Sequence, residues 1–223
     1  MAIIEPTRKD IQNSPAIKKY SSSLRLWHWV NAIVISGSLL TVLLNATLLK
    51  SRNDSPVIKS ALQNAGAVVT DKQVNSAAHD LSDKVWDIHV YFGYGLAALL
   101  VFRLVLEFFQ LADQKFIRKL KFAYADYFKI KKQRETALHE FSVKLIYSAF
   151  YLLLVIMVVT GLFLAFEDFF APYKAIRSSV KGVHNFCMYL ILAFIVVHLA
   201  GVFLAERKDS KGIVSDMING GGE

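Results

Sequence analysis

The sequence predicts an all-α membrane protein, a four-transmembrane-helix bundle with both termini in the cytoplasm. Three observations predict it: four apolar blocks of spanning length, a composition to match, and an uneven distribution of Lys and Arg between the blocks. The 223 residues are 54% hydrophobic and 13% aromatic, with a mean hydropathy of +0.38. The apolar residues form runs at 24–48, 85–111, 143–166 and 183–205 rather than amphipathic stripes. Each exceeds the roughly 20 residues that a helix needs to cross about 30 Å of hydrocarbon. Sixteen Lys and Arg precede the first run, separate the second from the third, or follow the fourth, against eight in the other two connections. By the positive-inside bias this excess puts both termini in the cytoplasm. The net charge of +8 therefore reports topology. No basic stripe of a soluble fold is present to engage nucleic acid, and none is expected as a partner.

Taken in order, residues 1–20 are polar, carry Pro6 and Pro15, and read as a cytoplasmic tail. The first run is too long for a signal-peptide core and is expected to stay as a helix. The connection 49–84 exceeds what a hairpin of spans requires. Its Asp54-Ser55-Pro56 and Ala65-Gly66-Ala67 read as turns, and its length suggests a binding surface or a lid. The connection 110–141 interleaves basic residues with Phe116, Phe122, Tyr124, Tyr127 and Phe128. That pattern suits an amphipathic helix on anionic lipid, with a partner contact as the alternative. The organisation is a tail at 1–20, a four-helix domain at 21–206 and a C-terminal cytoplasmic tail at 207–223. Cys187 is the only cysteine, which excludes an internal disulfide, a covalent haem motif and a cluster held by the chain's own thiolates.

The histidines carry the chemistry. His184 and His198 are fourteen residues apart on the fourth run, which brings them to within about 40° of one helix face and about 21 Å apart along it. His28 begins the first run and His89 the second. With the termini inside, His28 and His198 fall at the inner level, and His89 and His184 at the outer. Each pair offers two neutral imidazoles across a gap, the donor set for bis-His ligation of a b-type haem, so two haem b groups are expected. Arg103, fourteen residues after His89, returns to the same face at the inner level. There it suits a haem propionate, with Glu107 four residues on as the alternative partner. Gly37, Gly93, Gly95, Gly161 and Gly201 would admit a macrocycle, and they also suit helix contacts. Trp27 and Trp29 read as interfacial anchors. His79 reads as a solvated residue. His139 and Glu140, where the third run begins, form a protonatable pair that would serve a quinone, or an ordinary pair at a helix start.

These residues resemble the di-haem b-type cytochrome subunits of membrane-bound respiratory nickel-iron hydrogenases. The likeness is carried by Arg25-Leu26-Trp27-His28-Trp29, His89 with Arg103, Thr160-Gly161, Phe170-Ala171-Pro172-Tyr173, and the stretch from His184 through His198 and Glu206 to Val214-Ser215-Asp216-Met217-Ile218-Asn219-Gly220. The resemblance implies His28, His89, His184 and His198 as axial ligands, with Arg25 and Arg103 also binding the cofactor. It implies an iron-sulfur small subunit as donor at the outer face, menaquinone or ubiquinone as acceptor, and the bacterial inner membrane as the location. Self-association within a larger complex is compatible with it. The family often has Asn-Pro after the His that opens span three, where Glu140-Phe141 stand here. Three other readings stay open. One is the cytochrome subunit of a formate dehydrogenase or thiosulfate reductase, another a stand-alone di-haem cytochrome oxidising superoxide, and the last a haem-free four-span structural or transport protein.

Overall fold

The computed structural model describes residues 21–49, 51–109, 134–208 and 212–220, and at 51–54, 107–109, 134–141 and 208 the backbone alone. The 1–20 tail and the basic, aromatic stretch at 110–133 lie outside the described residues. Every regular element among those described is helical: α1 (Ser22–Thr47), α2 (Ser51–Asn64), α3 (Asp71–Phe109), α4 (Arg134–Ala165), a 3₁₀ turn (Ala171–Ile176), α5 (Arg177–Lys208) and α6 (Ile213–Asn219). Four of them, α1, α3, α4 and α5, are long and apolar enough to cross a membrane. The chain is thus an all-α membrane protein with four spanning helices.

Their surfaces are inverted relative to a water-soluble bundle. Leu43, Leu152, Val159, Leu192 and Val196 are exposed, whereas Asn31, Thr41, Asn45 and Arg103 are buried. Lipid gives no hydrophobic drive for helices to associate, so contact comes from close packing and from hydrogen bonds between polar groups that hydrocarbon would leave unsatisfied.

The connection 49–84 is a helical hairpin rather than a loop. Asp54-Ser55-Pro56 lies within α2 and makes no turn. Proline removes one backbone hydrogen bond there, and packing against α3, where Val74 and Ala78 are buried, offsets it. Ala65-Gly66-Ala67 does turn the chain. The Gly66 N–H donates to the Gln63 carbonyl and the Ala67 N–H to the Leu62 carbonyl, both at 2.9 Å, with Gly66 at φ +85°. This is a Schellman stop, which needs a left-handed residue that glycine adopts without strain. Thr70 and Gln73 then start α3 as a reciprocal capping box: the Thr70 N–H donates to Gln73 Oε1 at 2.9 Å and the Gln73 N–H to Thr70 Oγ1 at 3.3 Å. Lys59 and Asp71 close the hairpin at 2.6 Å.

The chain forms two compact units, one from Met1–Trp29 with Val196–Glu223 and the other from Val30–Ile195. Within the second, α1 meets α3 where a Cβ on Gly37 would stand 2.4 Å from the Phe92 ring. Phe150 of α4 stacks on Phe194 of α5 at 4.3 Å between ring centres. Gly37 therefore makes room for a neighbouring side chain. Gly37→Ala is expected to overpack this contact and destabilise the protein by about 1–3 kcal/mol. Phe92→Leu in the same chain should recover part of the loss, as read from thermal unfolding in detergent.

Candidate functional site

In the second unit α3 and α5 bring His89 and His184 together, with ring centres 6.4 Å apart and planes at 79°. In the first, the start of α1 and the end of α5 bring His28 and His198 together, at 6.3 Å and 58°. The pairing expected from the sequence, His28 with His198 and His89 with His184, is the pairing found. A transition metal bonds an imidazole nitrogen at about 2 Å, and the ring centre lies roughly 1.1 Å further on, so two rings on opposite sides of one metal stand about 6.2 Å apart. Both pairs have that spacing. The angle between ring planes is no obstacle, because each imidazole turns freely about its own bond to a metal.

The His89–His184 pair also has its protons placed. Thr41 Oγ1 donates to the Ser38 carbonyl at 2.6 Å and lies 2.9 Å from His89 Nδ1. Thr160 Oγ1 donates to the Ile156 carbonyl at 2.6 Å and lies 2.9 Å from His184 Nδ1. Each hydroxyl has spent its own hydrogen, so it accepts one from the imidazole. Both rings are thereby assigned as Nδ1–H tautomers, with the Nε2 lone pair left for a metal. This is the arrangement that orients a ligating histidine and raises its basicity. Gly161 completes the cradle, since a Cβ there would stand 3.3 Å from His184 Cε1.

The His28–His198 pair is bounded differently. His28 Nδ1 is buried without a hydrogen-bond partner among the described residues. The Trp29 ring meets the His28 ring edge-on at 5.2 Å. An added Cβ at Gly93 or Gly201, close in sequence to His89 and His198 respectively, meets nothing within 4 Å, so a flat group can lie against the backbone there.

The other predicted site residues divide as follows. Arg103 is buried, donates from Nε to the Tyr151 hydroxyl at 3.0 Å and lies over that ring at 5.6 Å. Tyr151 was not foreseen from the sequence. The side chain of Glu107, its alternative partner, lies outside the described residues. Arg25 donates from Nη1 to the Ile218 carbonyl and from Nη2 to Ser22 Oγ, while its Nε is buried without a partner among the described residues. His139 and Glu140 sit in the first turns of α4, but their side chains lie outside the described residues. His79 is exposed and pairs with Asp83 at 2.9 Å, as a solvated residue would. Trp27 is buried, whereas Trp29 is exposed and donates its indole N–H to the Met217 carbonyl at 3.1 Å. Sequence reasoning gave Thr41 and Thr160 no role. The available signal was hydroxyls inside apolar runs, and what it lacked was the rotation that turns them toward a histidine.

A family profile described as prokaryotic cytochrome b561 matches residues 19–220. No curated protein and no solved structure matches the chain.

Thr160→Val removes the acceptor of the His184 Nδ1–H, and Thr41→Val the nearest acceptor at His89 Nδ1, where the Ser38 hydroxyl and carbonyl also stand at 3.3 Å. Each is expected to weaken metal or haem retention at the His89–His184 pair by roughly 10–100-fold. Equilibrium loss of the group to an apo-acceptor checks this, and retention within twofold of wild type would break the link.

Proposed function

This chain belongs to the prokaryotic cytochrome b561 family of transmembrane b-haem electron-transfer proteins, and on that premise we propose that it holds two haems. His28 with His198 would ligate one and His89 with His184 the other. The observation that carries the proposal is that both pairs stand at the separation one metal needs between opposed imidazoles, 6.3 and 6.4 Å. A b-type haem so ligated supplies reversible one-electron chemistry without binding a substrate at its iron.

The chain's own residues do the rest. The imidazoles would bind and orient the group and, as neutral ligands, add no charge to it. Thr41 and Thr160 hold the Nδ1 protons of one pair and so fix which nitrogen ligates. Arg103, buried and steadied by Tyr151, and Arg25, whose Nε is buried without a partner among the described residues, supply guanidinium groups suited to propionates. The apolar span surfaces keep water from both pairs.

We assign the protein to the bacterial inner membrane as a conduit from an outer-face donor to the quinone pool, the excess of Lys and Arg supporting inside termini. The donor we favour is the iron-sulfur small subunit of a respiratory nickel-iron hydrogenase. This rests on the resemblance at Arg25-Leu26-Trp27-His28-Trp29, Thr160-Gly161 and the 214–220 stretch. With a single cysteine, the chain itself would not activate hydrogen. The acceptor would be menaquinone or ubiquinone, with His139 and Glu140 as the residues proposed to deliver protons to it.

Haem assay of the purified protein is expected to give two haems per chain with the sharp reduced bands of bis-His ligation. His198→Ala should lose the inner haem and keep most of the outer, and His89→Ala the reverse. One haem or none in the wild type, or a haem count unchanged from the wild type in both variants, would overturn the assignment.

A further inference from the structure

The 214–220 stretch is part of the likeness to other cytochromes, yet the electron-transfer reading gives it no structural task. It forms α6, seven residues long and too short to persist alone. Both of its ends are held by residues from the two helices that carry His28 and His198. At its start, the Glu206 carboxylate accepts the Gly212 N–H at 2.8 Å and the Val214 N–H at 3.3 Å. At its end, Arg25 Nη1 donates to the Ile218 carbonyl and the Trp29 indole N–H to the Met217 carbonyl at 3.1 Å. The chain enters and leaves through Gly212 and Gly220, at φ +87° and +109°, a backbone that side chains rarely tolerate.

The placement of these anchors is what matters. Arg25 and Trp29 bracket His28, one a turn before it and one directly after, and Glu206 lies eight residues past His198 on the same helix. His28 is the seventh residue of α1, and its Nδ1 has no hydrogen-bond partner among the described residues. The His89–His184 pair has Thr41 and Thr160 at its Nδ1 atoms, and no equivalent hydroxyl among the described residues holds His28.

We infer that α6 is a brace for the His28–His198 pair, and that Trp29 and Glu206 are positioning residues that fix the gap between these two imidazoles by tying the α1 start and the α5 end to one rigid segment. This rests on the bis-His reading above. Its consequence is selective: loosening α6 disturbs the inner haem and leaves the outer one alone.

The test uses the full chain and three variants. One ends after Lys211, Trp29→Phe keeps the ring but removes the N–H, and Glu206→Gln removes the charge that caps α6. The readouts are haem per chain, midpoint potentials by redox titration, and low-spin electron paramagnetic resonance signals, with the component missing in His198→Ala identifying the inner haem. The shortened chain is expected to lose at least half of the inner haem, or to show its potential and signal displaced, with the outer component unchanged. Trp29→Phe and Glu206→Gln should shift the same component by less, and they decide the matter if the shortened chain does not accumulate. Unchanged inner-haem occupancy, potential and signal in the two point variants would overturn the brace, as would equal effects on both haems. Absence of haem from the full chain would instead defeat the bis-His reading itself.

Discussion

An imidazole enclosed by spanning helices has two nitrogens and no water to satisfy them, and most of this protein can be understood as an answer to that demand. Each ring needs a partner for its N–H and another for its lone pair, or burial costs several kcal/mol. At His89 and His184 the first need is met by Thr41 and Thr160, whose own hydrogens go to carbonyls of their own helices. The second need is left for a metal, and the facing ring comes to the distance at which one metal meets the lone pairs of both. Asn31, Thr41, Asn45 and Arg103 are accordingly buried, while the exposed faces of the spans are largely apolar.

That division explains which parts were legible in the sequence. Spanning length and histidine spacing survive as one-dimensional signals, because a helix returns to the same face after fourteen residues whatever it packs against. The four spans and the two histidine pairs could therefore be read from the chain. Thr41 could not be singled out from Ser36, Ser38 and Thr47, because the choice depends on how α1 is rotated against α3. The 49–84 hairpin was read as loop for another reason. Asp54-Ser55-Pro56 has turn chemistry, but local preference worth a few kcal/mol yields to the apolar contact with α3 that buries Val74 and Ala78. The capping box of Thr70 and Gln73 was written in the sequence and marks the start of α3 fourteen residues before the apolar run begins.

Arg25, expected from the resemblance to bind the cofactor, also has structural contacts of its own. Three residues ahead of a histidine ligand, a guanidinium suggests propionate recognition. It carries five N–H donors in a fixed fork, and the structure turns its two terminal nitrogens to the Ile218 carbonyl and Ser22 Oγ, leaving Nε for another acceptor. A carbonyl at the end of a seven-residue helix has no intrahelical partner, so a cation there meets both its hydrogen-bonding need and the helix dipole. Lysine would offer its three donors from a single nitrogen rather than from a planar fork.

The two histidine pairs thus have different sources of rigidity. One pair lies within long helices and is held by hydroxyls on adjoining helices, so its geometry is fixed by the same packing that fixes the spans. The other has its neighbours tied to a segment distant in sequence. Ligand geometry and second-sphere hydrogen bonding are both levers on haem potential. On the proposed bis-His reading, a protein that steadies one pair through imidazole hydrogen bonds and the other through its backbone would set the two potentials by separate means, so that selection could adjust one without disturbing the other.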